Sequence, residues 1–308
     1  MLLRPRHFIP PGTKIDFVSA RWWAFGLTIA LMVVTIVSLF VQGLNLGIDF
    51  KGGILIEAKS ANTIDVGALR SGLETLGLGQ TELQEFGGGN EILIRVQRQE
   101  GGEEEQQRAV QAVREKLGQE YEYRRVEVVG PTVGSELLRA GLLATSLAVL
   151  AIAVYVAFRF EWQFGLAAFL ATLHDVFVTV GLYSVLQLDF NLTSIAALLT
   201  LAGYSINDTV VVFDRIRETM RRQKITNLRT VINDSVNQTL SRTTMTAGTT
   251  LVALLPLLFM GGQTLRNFSL AITWGILVGT YSSIYVAASL LLYMPPLRRM
   301  DLAPAKQQ

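Results

Sequence analysis

The chain has 308 residues, half of them hydrophobic, a formal net charge of +2 and no cysteine. So small a charge gives no electrostatic case for a nucleic-acid partner, and without thiols neither disulfides nor cysteine-ligated metals are available. The apolar residues are gathered into runs too long for a soluble core, which excludes an all-soluble protein.

Residues 1–21 are basic, with Arg4, Arg6, Lys14 and Arg21 ahead of the first membrane-length run at 22–41. That run is longer than the apolar core of a signal peptide, and no small-residue cleavage pattern follows it. A retained spanning helix within 22–44 is therefore predicted. Trp22 and Trp23, like Trp162 later, suit the headgroup level.

Residues 45–134 are charged, punctuated by glycine and contain no span. "GGILIEAKS" (Gly52–Ser60) reads as a strand. Thr63–Leu76 places Val66, Leu69, Leu73 and Leu76 on one helical face. "TELQEF" and "NEILIRVQR" flank "GGGN" (Gly87–Asn90), a hairpin signature. Glu103–Leu117 opens with acids, which suit a helix N-terminus, and aligns Val110, Val113 and Leu117. "YEYRRVEVVG" (Tyr121–Gly130) is a last strand. The order βαββαβ predicts a ferredoxin-like α+β domain, a fold that names no function. "GIDFKGG" (Gly47–Gly53) has too few glycines at the right spacing for a dinucleotide loop.

Residues 135–294 carry five further runs, near 137–158, 164–186, 192–213, 244–260 and 268–292. The fifth span of the chain is the shortest and is interrupted by Pro256. The fold class predicted is thus a polytopic α-helical membrane protein with six transmembrane helices and one extracytoplasmic α+β domain. Arg215, Arg217, Arg221, Arg222, Lys224 and Arg229 lie between spans four and five, in a basic segment at 214–243, and Arg298 and Arg299 follow span six. The connection at 187–190 has no Lys or Arg, and that at 261–267 has only Arg266. By the positive-inside rule both termini, 1–21 and 295–308, are cytoplasmic and the 45–134 domain is outside. The basic amphipathic segment is expected to continue helix four and to lie along anionic headgroups.

Several polar side chains stand inside the spans. Span three holds His174 and Asp175, and span four holds Asn207 and Asp208. A carboxylate at the centre of a spanning helix costs about 2.5–3.5 kcal/mol on insertion scales. If helix five begins near Asn237, Arg242 meets Asp208 at similar depth across an antiparallel pair. One reading is a proton site, in which Arg242 shifts Asp208 between binding and releasing a proton. The other is a static ion pair. His174, Asp175 and Asn207 are relay candidates or helix-packing, hydrogen-bonding residues, and Thr193, Ser194, Thr200 and Ser205 suit helix packing. The four-residue repeat Gly275, Gly279, Ser283, Ala287 is a close-approach stripe, expected either within the chain or as a docking face for a second bundle.

These pieces resemble the SecD/SecF family of bacterial protein-export membrane subunits along nearly the whole chain. The resemblance rests on "GIDFKGG", "VGPTVGSEL" (Val129–Leu137), "LHDV" in span three, "GYSINDTVVVFDRIRE" in span four and "TLSRTTMT" entering span five, in the family's order. It implies a resistance-nodulation-division architecture and an inner-membrane location. The short outer domain matches the SecF branch, which implies a SecD-like partner, the SecYEG channel and an unfolded preprotein as associates. It also implies protons as coupling ion with no other cofactor and no enzymatic chemistry. Asp208 and Arg242 correspond to the family's intramembrane acid and base, and Gly47, Asp49, Gly52 and Gly53 to its conserved-motif positions. Two other classes stay open on the residues alone. A small-molecule or lipid exporter of the superfamily would usually repeat the unit in one chain. An intramembrane aspartyl protease would use Asp175 and Asp208 as a dyad.

Overall fold

The computed structural model describes residues 13–79, 81–86, 88–222, 227–261 and 263–295. Arg4, Arg6, Gly87, Lys224, Arg298 and Arg299 lie outside the described residues.

Helix α1 (Arg21–Val41) leads through a single helical turn, α2 (Ile48–Lys51), into the outer domain. There β1 (Gly53–Ser60), α3 (Val66–Glu74), β2 (Thr81–Phe86), β3 (Glu91–Val96), α4 (Glu103–Leu117) and β4 (Tyr121–Val129) follow in the predicted order. The sheet is antiparallel throughout, with spatial order β2-β3-β1-β4, the ferredoxin-like arrangement. Ile54 and Ile56 of β1 and Ile92 and Ile94 of β3 are fully buried beneath Leu73 of α3 and Val113 of α4. Each such side chain contributes about 1.5–3 kcal/mol, so this core can hold a small domain without disulfides. Asp65 starts α3 by accepting the Ala68 N–H at 3.0 Å. The β2–β3 hairpin turns at Gly88 (φ 80°) and Gly89 (φ 96°), a left-handed backbone that glycine tolerates.

Six helices are long and apolar enough to cross a membrane. After α1 they are α5 (Pro131–Arg159), α6 (Trp162–Val185), α7 (Leu192–Arg222), α8 (Leu228–Met260) and α9 (Gln263–Tyr281), the last continued by a π-helical turn, Ser282–Ala287. The apolar windows of α6 and of the sixth span are 61% and 67% buried, against 17% for α1 and α8. Helices α6, α7 and α9 therefore form the middle of the bundle. Trp22, Trp23 and Trp162 are exposed near helix starts, as interfacial anchors require. Pro256 does not interrupt α8, which runs through it; neighbouring groups can satisfy the carbonyl that proline frees in a membrane helix.

The basic segment at 214–243 continues helix four, as expected, and from Leu228 onward it is helical again rather than a loop. α7 continues to Arg222, and α8 starts at Leu228 rather than near Asn237, with the Asn227 side chain accepting from the Arg229 N–H at 3.0 Å. The reason is a protein partner for the apolar stripe. Ile216 of α7 and Val231, Ile232 and Val236 of α8 are buried in one cluster with Phe17, Val18 and Leu291. Asp16 locks residues 13–20 onto this hairpin: it accepts from Ser19 and Asn233 and pairs with Arg229. These donors hold its carboxyl far below the ordinary carboxylate range, so the contact persists at physiological pH.

The small-residue stripe of the sixth span packs inside this chain, the first of its two expected readings, and is not free as a docking face. A Cβ at Gly275 would collide with the Leu201 side chain, and one at Gly279 would lie 3.3 Å from Ser205 Cβ. Ser283 bonds Thr209 at 2.8 Å, and Ala287 is buried. Gly275→Leu should therefore destabilise the isolated chain itself, by about 1–3 kcal/mol of overpacking. Thermal unfolding in detergent reads this, and an unchanged melting temperature would return the stripe to the surface.

Candidate functional site

Two carboxylates lie at the heart of the bundle in opposite circumstances. Asp175 on α6 is fully buried, and its oxygens are engaged from three helices. The Ser205 hydroxyl of α7 donates to Oδ2 at 2.5 Å, and the Ser282 hydroxyl beyond α9 donates to the same oxygen at 2.7 Å. His174 Nδ1 stands 2.9 Å from Oδ1. The buried Nε2 of the same ring has no hydrogen-bond partner among the described residues of the protein. The π-helical turn makes this possible. By widening the helix it buries two successive serines, Ser282 toward Asp175 and Ser283 toward Thr209. The sequence offers His174 and Asp175 as interhelical hydrogen-bond partners and Ser205 as a packing contact, and the structure joins them; the sequence does not single out Ser282.

Asp208 on α7 is 3% exposed, and its Oδ2 is buried without a hydrogen-bond partner. Among the described residues, no ion pair within 4.0 Å reaches it. The expected contact with Arg242 is thus proximity rather than a bond: Arg242 is near enough to act on the carboxylate by Coulomb attraction. The depth argument holds on the corrected helix boundaries. Asp208 stands fourteen residues before Arg222, and Arg242 fourteen residues after Leu228, on either side of the α7–α8 hairpin. At about 1.5 Å per residue, each lies about 21 Å from that hairpin.

Asn207 joins neither cluster. It is exposed, on a stripe of α7 with Thr200 and Gly203, and Arg242 and Thr249 are exposed on α8. Asp175 is hydrogen-bonded to His174, Ser205 and Ser282, and among the described residues no hydrogen bond joins it to Asp208. A protease dyad sharing one proton needs two adjacent carboxyls, so that reading fails on geometry.

The "GIDFKGG" segment lies at the opposite end of α7. Asp49 Oδ2 accepts the Leu192 N–H at 2.8 Å, capping the first residue of that helix. The Gly47 N–H donates to the Phe190 carbonyl, and the Phe190 N–H donates to that of Asn45, both at 2.8 Å. Gly52 and Gly53 turn the chain into β1 with φ of 75° and 130°, and a Cβ at Gly53 would lie 2.8 Å from the Val96 carbonyl. Asp189 bonds Arg95 of β3 and Asn45. Burial pushes its carboxyl above the ordinary value, and the Arg95 charge opposes the shift.

The Asp175 carboxylate is bonded to two buried serines and to His174, so removing it leaves buried hydroxyls without that partner. Asp175→Ala should cost about 1–3 kcal/mol of bundle stability for each group orphaned. Asp175→Asn, which keeps an acceptor for the two serines, should cost less. Paired thermal melts in detergent distinguish them, and equal melts for Ala, Asn and wild type would remove the network's structural weight.

Comparison with known proteins places this architecture. The family model described as "Protein export membrane protein SecD/SecF, C-terminal" matches residues 109–296, and that of the SecD/SecF GG motif matches residues 37–64. The protein translocase subunit SecF of Magnetococcus marinus is 47% identical over 297 residues, covering 95% of this chain and 96% of that one. SecF of Rhodobacter capsulatus is 44% identical over 301 residues, covering 93% and 90%. The crystal structure of SecDF from Thermus thermophilus, a translocon-associated membrane protein, superposes with a TM-score of 0.81 at 38% identity. That match covers 92% of this chain but only 39% of the SecDF chain, so this chain spans about two-fifths of its length. With its outer ferredoxin-like domain, its six-helix bundle and both motif regions matched, the chain belongs to the SecD/SecF family of protein export membrane proteins, alongside the SecF subunits.

Proposed function

We propose that this chain is a proton-driven accessory subunit of protein export rather than an enzyme. It works with a SecD-like partner, beside the SecYEG channel, on unfolded preproteins crossing the bacterial inner membrane. The observation that carries the proton coupling is Asp208: a buried carboxylate at membrane depth, with one oxygen unpaired and an arginine near it but not bonded to it. A locked ion pair would fix its charge. An acid without such a partner can take a proton when Arg242 is remote and release it when Arg242 approaches, while the guanidinium stays charged throughout. Each proton crossing 100 mV supplies about 2.3 kcal/mol.

The need for a partner rests on the exposed faces of α7 and α8. Thr200, Asn207, Arg242 and Thr249 are polar and uncovered at membrane depth. Such side chains ordinarily face protein or a hydrated cavity rather than lipid. A second bundle packed there would enclose Asp208 and Arg242, and the SecDF chain has more than half its length left over to supply one. No separate observation favours a small-molecule or lipid exporter. The Lys/Arg distribution supports an outer domain outside the membrane and an α7–α8 hairpin in the cytoplasm.

Asp208→Asn and Arg242→Met should each reduce gradient-driven export to the level seen without a gradient, in proteoliposomes containing the partner and channel. Both variants should still fold and insert. Gradient-dependent export by Asp208→Asn would refute the proton site. Because the chain has no cysteine, single cysteines report topology: Glu104→Cys should react with an impermeant thiol reagent added outside whole cells, and Arg222→Cys should not.

A further inference from the structure

The proton site leaves the "GIDFKGG" segment without a role, yet this segment touches three parts of the molecule that would move relative to one another. It follows α1 and runs directly into β1, the central strand of the outer domain. The Phe50 carbonyl lies against the start of α5, so close to Gly134 that a Cβ there would stand 2.6 Å from the oxygen. The Phe50 ring packs on Phe190 at 5.9 Å between centroids, and Phe190 packs on the buried Tyr183 of α6 at 5.4 Å. The Asp49 carboxylate holds the Leu192 N–H, the first of α7. From there α7 is one uninterrupted helix to Asp208 and on to Arg222.

We infer that Asp49 is a positioning residue joining the outer domain to α7, so that a rearrangement at Asp208 reaches the outer domain through the first turn of that helix. The inference rests on the proton-coupling reading of Asp208 and adds to it the route by which the coupling leaves the membrane. Three features carry it. The Asp49 bond runs from side chain to backbone, so it follows the helix itself rather than one rotamer. The two backbone bonds around Phe190 make the joint resist sliding as well as separation. The turn into β1 is seated on the sheet, since a Cβ at Gly53 would stand 2.8 Å from the Val96 carbonyl. A tilt of α7 therefore moves the base of β1.

The test uses the full chain with its partner subunit in proteoliposomes, with spin labels on Glu104→Cys in α4 and Leu186→Cys just after α6, both exposed. The label-to-label distance is measured at neutral and at acid pH. Protonation of Asp208 is followed separately by its infrared carboxyl band, assigned with Asp208→Asn. In the parent chain both readouts should respond to pH. Asp49→Ala should keep the infrared response and lose the distance change, while Asp49→Asn should keep both, since an amide oxygen still accepts the Leu192 N–H. If Asp49→Ala fails to fold, Leu192→Pro removes the same bond from the other side, at the first helical position, where proline is tolerated. Its distance change should also vanish. A distance change that survives Asp49→Ala or Leu192→Pro, or that is lost in Asp49→Asn, overturns the joint. A parent chain without an Asp208 infrared response fails differently: it removes the proton reading, and this inference with it.

Discussion

A carboxylate held at membrane depth is the constraint to which the rest of this bundle answers. On insertion scales it costs about 2.5–3.5 kcal/mol at a helix centre, and the cost falls only if the group faces protein or another charge. Asp208 meets the first condition, being almost wholly buried, and meets the second only at a distance, through Arg242. Placing it there requires α7 to run through the middle of the bundle. It also requires α8 to return antiparallel so that the arginine comes back at the same depth. The hairpin between them is accordingly built as protein rather than as a lipid-lying segment, with its own buried cluster and an N-terminal strap held by Asp16.

Asp175 shows what the same residue type does when the fold intends it to stay put. Its oxygens share hydrogen bonds with His174 of α6, Ser205 of α7 and Ser282 of the π-helical turn. Ser205, which donates one of them, lies one turn before Asp208 on α7. The satisfied carboxylate thus anchors the helix that carries the unsatisfied one. A motion that altered Asp208 without disturbing Ser205 would have to pivot about this turn. The central layer then acts as a fulcrum, with the α7–α8 hairpin on one side and the outer domain on the other. Rigid helices transmit such pivots because packed interfaces are bistable rather than continuously deformable.

Much of this was legible in the residues. The period-2 runs of Gly53–Ser60 and Glu91–Val96, the acidic start at Glu103 and the six apolar runs each follow from local chemistry, and the elements fall where those signals stand. Asp208 was legible because charge inside an apolar run is rare, and Arg242 because an antiparallel helix five begun ahead of its apolar run brings it to similar depth. What was not legible depended on which face of a helix meets which neighbour. Gly275 and Gly279 form an apparent docking stripe by spacing, yet spacing cannot say whether Leu201 of the same chain already fills it. That helix four continues beyond Phe213 was legible, but not what its apolar side packs on: Ile216 is buried with Val231 and Ile232. The partnership of Asp175 with Ser282 depends on a π-helical turn, which has no sequence signature in a run of small residues.

The distribution of polarity on the outer faces completes the physical picture. Helix α1 presents Leu27, Ile29, Val33, Val34 and Val37 outward, an apolar surface suited to lipid. Helices α7 and α8 instead present Thr200, Asn207, Arg242 and Thr249 over the same membrane depth. A bundle surrounded evenly by lipid would have no reason to differ on its two sides. The asymmetry fits the proposed half of a paired assembly, in which Asp208 would stand just behind the seam and bind the proton. Closing or opening that seam would change the hydration of Asp208 and the position of Arg242 together. Coupling then needs no gate other than the packing of two bundles against each other.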